Sequence, residues 1–367
     1  MKKFIAAAAL LILMALLLVL VCSRRKAATV APAPMVGNTP VAPAPTVENN
    51  PVAPAPTAEN TPLLPKPVIK KTRAIPVPTK IQQQAPISAP FSPRDGHTGV
   101  SFNNEVWIIG GYDGKNYEND VWHSGDGESW ATATANAEFS PRFGHTSIIY
   151  DNAIWVIAGC NAGGYNDDVW RSSNGKSWTC MSDGAGFGKR GWHTSVVYNN
   201  EMWVIGGYDG KNYKNDVWHS NDGKTWTVSS SQAPFSARGW HSGTIFNNEM
   251  WIIGGFDSKS GDKNDVWYSE DGKNWACAAA SAEFDERELH ASVAYDNEIW
   301  VIAGYDSDSG FKNDIWRSED GKNWTCVTAS AGFSPRYGFA CVVFINNILV
   351  IGGWDGYNMK NDIYRLQ

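Results

Sequence analysis

Six copies of a unit of about 48 residues, each with the pattern of four short strands, predict an all-β fold, a six-bladed β-propeller. A period near 50 residues is typical of propeller blades and not of helical solenoids. Each copy begins with a Phe-x-x-Arg motif, and successive arginines are 48, 48, 48, 49 and 49 residues apart. The six arginines are Arg94, Arg142, Arg190, Arg238, Arg287 and Arg336.

The pattern within one unit predicts four antiparallel strands. In the first copy, residues 97–102 and 106–111 are rich in strand-forming side chains, and the Asn-Asn-Glu between them predicts a tight hairpin. A loop over residues 112–117 precedes a third strand at residues 119–124, and Gly-Asp-Gly then turns the chain into a fourth strand at Trp130. Four antiparallel strands make one blade of a propeller.

These motifs resemble the kelch repeat. The shared features are Arg-x-Gly-His at the first strand, a glycine pair closing the second, Asn-Asp-Val-Trp in the third and a tryptophan in the fourth. The resemblance covers residues 80–367, and all six copies carry most of the motif. It implies a propeller of four-stranded antiparallel blades whose ligand face is commonly formed by the loops on one side of the ring.

The end of the repeat array predicts how the ring closes. Each fourth-strand tryptophan lies 12 residues before the next arginine, but the last copy stops after its third strand at residues 361–367. Twelve residues before Arg94 lies Gln82, within residues 80–85, which otherwise have no partner. We therefore expect this N-terminal stretch to pair as the outer strand of the last blade.

The chain divides into three predicted segments, residues 1–26, 27–79 and 80–367. Lys2 and Lys3 precede an apolar run over residues 4–21, which as a helix would be about 27 Å long and just able to cross a bilayer. The first segment is therefore a signal anchor or a cleaved signal peptide. Acylation of Cys22, as in bacterial lipoproteins, is a third alternative, although Val21 stands where lipoproteins favour Gly, Ala or Ser.

Residues 27–79 predict a disordered, extended linker. They are dominated by Pro, Ala, Val and Thr and contain Val-Ala-Pro-Ala-Pro three times. Such a segment cannot pack a core, and its prolines favour extended polyproline II. An anchor, a stiff spacer and a globular head together resemble a bacterial, membrane-anchored kelch-repeat protein. We therefore expect a head held in the cell envelope, on the periplasmic or extracellular side.

The charge balance argues against nucleic acid as a partner. Residues 1–80 carry 10 of the 31 basic and 2 of the 37 acidic side chains, which leaves 21 basic and 35 acidic side chains in the propeller. A phosphate-binding surface needs the opposite balance.

The cysteines of the repeats predict free thiols. Cys180, Cys277 and Cys326 occupy equivalent positions on separate blades, and Cys160 and Cys341 have no evident partner. Outer strands of different blades diverge, so a disulfide between them is disfavoured. We expect all five to be small buried hydrophobic side chains.

Tryptophans that the repeat does not require predict the ligand site. Fifteen of the 18 tryptophans occupy second, third or fourth strands, which leaves Trp192, Trp240 and Trp354. Because successive strands alternate in direction, the loops entering first strands and those joining second to third strands share one side, here called the variable face. The two hairpin turns share the opposite side, the hairpin face. All three spare tryptophans and Tyr337 lie on the variable face.

The six repeat arginines begin the first strands on the same side and are further ligand candidates. Guanidinium groups beside aromatic rings suit sugars, acidic saccharides or a peptide carboxylate. The alternative is structural, with each arginine bonded to loop carbonyls or to the aspartate of its Asn-Asp pair. The predicted ligand-binding set is Arg94, Arg142, Arg190, Arg238, Arg287, Arg336, Trp192, Trp240, Trp354 and Tyr337.

Five histidines share one first-strand position, with Phe339 in the sixth copy: His97, His145, His193, His241 and His290. A ring of imidazoles could hold a metal ion. The histidine is part of the repeat itself, however, so we expect no metal and no other cofactor.

The leading interpretation is a non-catalytic recognition or scaffold head that binds a glycan or a protein on the variable face. The alternative is a sugar-processing enzyme similar to kelch-type sialic acid mutarotases, which work with a carboxylate and arginines alone. The candidate proton shuttle is Glu288, within the acidic cluster at residues 285–288.

Overall fold

The computed structural model describes residues 86–366 of the 367-residue chain and contains 26 strands. They form six four-stranded antiparallel sheets, and a two-stranded hairpin lies within the second repeat. In each of blades 1 to 5 the strands pair in chain order from the inside of the ring to the outside. The prediction of an all-β, six-bladed propeller is confirmed.

The first three blades follow the repeat. Blade 1 consists of β2 (Thr98–Phe102), β3 (Glu105–Tyr112), β4 (Tyr117–Ser124) and β5 (Ala131–Thr134). Blade 2 consists of β6 (Thr146–Tyr150), β7 (Ala153–Ile157), β10 (Val169–Ser172) and β11 (Thr179–Ser182), with the extra hairpin β8 (Cys160–Asn161) and β9 (Gly164–Tyr165). Blade 3 consists of β12 (Thr194–Tyr198), β13 (Glu201–Tyr208), β14 (Tyr213–Ser220) and β15 (Thr227–Ser230).

The last three blades complete the ring. Blade 4 consists of β16 (Ser242–Phe246), β17 (Glu249–Asp257), β18 (Gly261–Ser269) and β19 (Ala276–Ala279). Blade 5 consists of β20 (Ala291–Tyr295), β21 (Glu298–Asp306), β22 (Gly310–Ser318) and β23 (Thr325–Thr328). Blade 6 takes three strands from its own repeat, β24 (Ala340–Phe344), β25 (Asn347–Trp354) and β26 (Met359–Leu366), and β1 (Ile87–Ser88) from the N-terminal side.

The ring closes through β1, as the incomplete last repeat predicted. Ile87 pairs with Ile363 and Ser88 with Asp362 in antiparallel register. The Asn361 side-chain amide donates to the carbonyls of Ala89 and Phe91 at 2.7 and 3.1 Å, the same bonds that the third-strand asparagine makes in blade 1. The closing strand thus lies a few residues after the expected stretch 80–85, which is outside the described residues.

The core lies between neighbouring blades. One cluster joins Trp107 and Ile109 of blade 1 to Ile154 and Val156 of blade 2, all of them buried. Trp107 packs so closely on the next blade that a Cβ at Gly175 would lie 2.0 Å from its ring. The turn glycine is therefore required both for its φ of +69° and for the space that the neighbouring tryptophan fills.

The five cysteines of the propeller are free thiols, as predicted, but three of them are not buried. Cys160 is buried and Cys341 is half-buried, whereas Cys180, Cys277 and Cys326 are exposed. The expectation that all five are buried is wrong, because these three lie on fourth strands, whose outer sides have no further strand to cover them.

No helix long and apolar enough to cross a bilayer occurs in residues 86–366. The apolar run at residues 4–21 and the predicted linker at 27–79 lie outside the described part of the chain.

Candidate functional site

The six repeat arginines are buried, with at most 1% of each side chain exposed. Each guanidinium binds the two carboxylate oxygens of a third-strand aspartate at 2.5–3.0 Å, as in Arg94 with Asp120 and Arg238 with Asp265. The same guanidinium donates to the carbonyl of a second-strand residue, Gly110 in blade 1, at 2.9 Å. It also stacks over the phenylalanine of its Phe-x-x-Arg motif, at 5.4 Å in blade 1.

These contacts explain the repeated residues and change the predicted site. An arginine that is buried, bonded in two directions and neutralised by an aspartate fastens the first strand to the third. This is the structural alternative weighed for the sequence. The geometry does not support the expectation that Arg94, Arg142, Arg190, Arg238, Arg287 and Arg336 bind a ligand, since their charge and donors are already used inside the blades.

A closed ring of backbone hydrogen bonds surrounds the channel opening on the variable face. The second residue after each arginine donates its N–H to the carbonyl of the equivalent residue in the preceding blade, at 2.8–3.1 Å. We call these six residues the mouth: Gly96, Gly144, Trp192, Trp240, Leu289 and Gly338. The six bonds fix the spacing of the blades at this end of the channel, whatever side chain each position carries.

Every mouth residue has a left-handed backbone, with φ between +54° and +63°. Three positions are glycine, which adopts this conformation freely. Trp192, Trp240 and Leu289 are at +57°, +57° and +54°, where an L side chain costs roughly 1–2 kcal/mol per residue. Strain of this kind persists where the surroundings impose it, and it concentrates at functional sites.

Trp192 and Trp240 form the centre of a continuous aromatic cluster. Their ring centroids are 6.2 Å apart. Trp192 meets Phe143 edge to face at 5.0 Å, and Trp240 lies within 6.2 Å of Tyr208 and 5.6 Å of Tyr213. We call these five residues the aromatic cluster. It occupies blades 2 to 4, and its two tryptophans are partly exposed.

A loop tyrosine packs beside the glycine that precedes each tryptophan. A Cβ at Gly191 would lie 3.3 Å from the Tyr165 ring, and one at Gly239 would lie 3.5 Å from the Tyr213 ring. The Gly-Trp pair in blades 3 and 4 is thus one arrangement, in which a loop tyrosine packs beside the chain and the indole faces the channel opening.

The remaining aromatic candidates lie on the other side of the ring. Tyr337 stacks on Phe311 with centroids 5.3 Å apart, and its backbone pairs with that of Trp354. Trp354 forms no aromatic contact with the described residues. The structure therefore unites Trp192 and Trp240 but leaves Trp354 and Tyr337 apart from them.

Two carboxyl groups lie in blades 1 and 5, on either side of Tyr337. Asp95 and Glu288 each directly precede a mouth residue. Burial raises the pKa of Asp95 to about 7. Burial and, next, the negative charge of Asp262 raise the pKa of Glu288 to about 8. Burial and then the negative charges of these two carboxyls raise the pKa of Tyr337 to about 12.

Sequence reasoning selected Glu288 as a site candidate but did not select Asp95, Phe143, Tyr208 or Tyr213. The signal was available, because Asp95 and Phe143 occupy the same position after the arginine as Glu288. Contacts between blades cannot be obtained from the repeat alone, so the side-chain partners of the tryptophans were not foreseen.

The five first-strand histidines are buried and packed between blades. Burial, and next the positive charge of the blade's own arginine, lower the pKa of His145 to about 3, so the imidazole is neutral. Its Nε2 lies 3.0 Å from the Thr98 hydroxyl of the preceding blade, and His193 contacts Thr146 at 2.9 Å in the same way. Residues 86–366 contain no group of three or more side chains that could hold a metal ion.

The repeat, the blade geometry and the arginine–aspartate pairs define a repeat propeller with a variable face. Two family models match the chain, the Kelch motif at residues 93–123 and the KLHDC2/KLHL20/DRC7 Kelch-repeats domain at residues 126–282. The chain belongs to the kelch-repeat β-propeller family. No curated protein matches it. Kelch propellers commonly mediate protein binding.

Proposed function

We propose that this protein is a non-catalytic recognition head that binds its ligand at the mouth and the aromatic cluster. The observation that carries this proposal is the strained backbone of Trp192 and Trp240. Glycine occupies three of the six mouth positions, and at Trp192 and Trp240 it would adopt the left-handed backbone without the energetic cost of strain. Bulky indoles at two strained positions, next to each other and partly exposed, favour a role outside the blade architecture.

The size of the opening favours a protein over a glycan. The cavity at the mouth has a volume of about 130 Å³. Sites that enclose whole small molecules are typically about 300–1,000 Å³. A cavity of the smaller size suits one side chain inserted from a partner, with the surrounding loops contacting the partner's surface.

The test is to screen the full-length chain against peptide and glycan arrays and to measure the affinity of the ligands retrieved. Replacing Trp192 and Trp240 together by Ala should weaken binding by about 1–3 kcal/mol, as expected for aromatic anchors. Tyr357→Ala is the matched control, because Tyr357 is an aromatic residue on the same face, is 86% exposed and lies outside the cluster.

Lys176→Ala is the control for the hairpin face, since Lys176 is an exposed turn residue. Binding that survives the double tryptophan change but is lost in Lys176→Ala would show that the ligand binds the other side of the ring.

Glu288 favours a second candidate function, proton transfer on a sugar. A carboxyl group with a pKa of about 8 can both hold and release a proton near neutral pH. The arginine beside it, Arg287, is bonded to Asp314 and buried, so it does not face a substrate. This makes an enzyme of the mutarotase type the weaker of the two proposals.

A proton NMR assay with sialic acid and common hexoses separates these two functions. We expect no anomer interconversion by the wild-type chain and unchanged ligand affinity in Glu288→Gln. Rapid interconversion by the wild type that falls about 100-fold in Glu288→Gln would establish the enzyme instead.

We also propose that the head is anchored in the cell envelope through residues 1–26. The apolar run and the Pro/Ala-rich spacer support this location. In cell fractionation, the full chain should sediment with membranes, and a chain without residues 1–26 should not. Equal distribution of the two chains would contradict the anchor.

A further inference from the structure

Blade 6 differs from the other blades on the hairpin face, because its fourth strand, β1, comes from the N-terminal side and no turn joins it to β26. In blades 2 to 5 a glycine of that turn packs on a second-strand tryptophan of the preceding blade. A Cβ would lie 2.0–2.2 Å from the ring in the pairs Gly175–Trp107, Gly223–Trp155, Gly272–Trp203 and Gly321–Trp251. No turn glycine within residues 86–366 packs in this way on Trp300, the fifth second-strand tryptophan.

The side chains of blade 5 that face this position are more exposed than their equivalents. Trp300 is 8% exposed, against 2–4% for the four covered tryptophans. Tyr295, the last residue of its first strand, is half-buried, whereas the aromatic residue at this position is buried in every other blade. The hairpin face thus has an apolar surface at the junction of blades 5 and 6 that the described residues leave partly uncovered.

Ile345 extends this surface from the side of blade 6. It begins the two-residue turn between β24 and β25, where the other five blades have Asn or Asp. Its φ is +44°, which Asn adopts readily and a β-branched side chain does not, and it is 59% exposed. Asn would remove both the strain and the exposed apolar side chain, so isoleucine here indicates a contact with another segment. We call Tyr295, Trp300 and Ile345 the seam patch.

Hydrogen bonds in blade 3 show that the seam patch borders one position. The Tyr150 hydroxyl lies 2.9 Å from the carbonyl oxygen of Asn200, between the first and second strands of blade 3. It lies 3.0 Å from that of Asn221, which directly follows the third strand. One hydroxyl group therefore reaches both turns of the following blade. Tyr295 likewise donates to the first turn of blade 6, at 2.8 Å, so the place of the second turn adjoins Ile345.

The segment before β1 reaches this place by its direction and its length. β1 is antiparallel to β26, so the chain before Ile87 comes from the hairpin face. In blades 1 to 5 the turn glycine lies seven residues before the fourth-strand residue that pairs with the third-strand valine or isoleucine, as Gly175 precedes Ser182. Ile87 pairs with Ile363 in the same register, and seven residues before it is Lys80.

We propose that residues 79–85 of the same chain dock on the seam patch, with Ile81 as the apolar contact. Ile81 is the one large apolar side chain of that stretch. A side chain cannot replace the turn glycine at the same distance, because its Cβ would clash with the indole ring. The segment therefore crosses Trp300 farther out, which leaves room for an isoleucine. The chain then joins the head on the hairpin face and leaves the mouth, on the opposite face, open to a ligand. This inference goes beyond the proposed function and does not depend on the ligand of the mouth.

Hydrogen–deuterium exchange of the full-length chain tests the docking. We expect the backbone amides of residues 80–83 to exchange at least about 10-fold more slowly than in a synthetic peptide of residues 73–86. Ile81→Ser should bring their exchange to within about 2-fold of the peptide rate, and hydroxyl radicals should then oxidise Tyr295 at least about 2-fold faster. Ile75→Ser, at an isoleucine six residues upstream, is the matched control and should leave both measurements unchanged.

Ile345→Asn tests the contact from the side of the patch. Asn occupies this turn position in blades 1, 3 and 4, so the variant keeps the turn and should fold. Exchange of residues 80–83 should again come within about 2-fold of the peptide rate. Val228→Ser is the control, because Val228 is an exposed apolar residue on the outer strand of blade 3, and it should not change the exchange.

Three results would overturn the docking. One is exchange of residues 80–83 at the peptide rate in the wild type, and another is protection that persists in either Ile81→Ser or Ile345→Asn. The third is protection of Tyr295 that increases with protein concentration, which would show that a second copy covers the seam patch. The arrays that test the mouth are unaffected by any of these results.

Discussion

The arginine–aspartate pairs and the mouth are built on the same repeated backbone but differ in what varies. All six blades have the same arginine, the same bidentate aspartate and the same carbonyl contact. The mouth has the same hydrogen bonds and the same left-handed φ in every blade, yet it carries glycine, tryptophan and leucine. Residues that the blades share therefore stabilise the fold, and side chains that differ on an unchanged backbone indicate the binding site.

The largest expected loss of stability comes from breaking one of the arginine–aspartate pairs that all six blades share. Arg238→Met leaves Asp265 without its partner in a largely buried site, and we expect the free energy of unfolding to fall by about 3–5 kcal/mol. Urea denaturation measures it. Arg171→Met is the matched control, because Arg171 is 32% exposed and lies 3.8 Å from Asp151, and it should cost less than about 1 kcal/mol. Similar losses in both would show that the arginine–aspartate pairs do not hold the blades together.

Removal of the closing strand β1 should cause the next largest loss of stability. A chain that lacks residues 1–89 loses β1 and the hydrogen bonds between Ala89 and Asn361, so it should be less stable by about 2–4 kcal/mol than a chain lacking only residues 1–85. Comparing the two truncations isolates the strand from the linker. Equal melting temperatures would mean that β1 does not seal the ring.

Stability should also depend on pH through Glu288. Because its pKa is raised from 4.5 to about 8, the folded protein holds this proton more tightly than the unfolded chain does. The protonated carboxyl stabilises the fold fully below about pH 4.5, and this contribution is lost as the pH rises toward 8. Glu288→Gln should match the wild type at pH 4.5 and exceed it by about 1–3 kcal/mol at pH 8.5.

Thermal unfolding across this pH range measures the difference. Glu319→Gln, at an exposed turn, is the control and should show no such divergence. A constant gap between wild type and Glu288→Gln would mean that the carboxyl is not buried as described.

Most of the fold could be predicted from the sequence, but only part of the candidate site could. The arginine spacing gave six blades, and the missing last strand gave the closure by an N-terminal strand. Setting aside the 15 tryptophans that the repeat explains left three site candidates, among them Trp192 and Trp240. The same subtraction could not show that Trp354 lies apart from them, because distances between blades depend on packing across the ring. It also could not show that the arginines point into the blades, since a residue at a strand start can face either way.

The smallest effect concerns strain at the mouth. Trp192→Gly should be more stable than Trp192→Ala by about 0.5–1 kcal/mol, since glycine adopts the φ of +57° without cost but loses more entropy on folding. Both variants remove the same ring, so urea denaturation compares the backbone alone. If alanine is the more stable replacement, the left-handed conformation carries no strain at this position.

The central claim, that the mouth is the ligand site, is tested most directly by oxidative footprinting of the full-length chain with a ligand retrieved from the arrays. Hydroxyl radicals should oxidise Trp192 and Trp240 in the free protein, because both are partly exposed. Ligand should protect both tryptophans and leave oxidation of Tyr357, 86% exposed on the same face, unchanged. Protection of Tyr357 or of the hairpin face, with both tryptophans still oxidised at the free rate, would contradict the account.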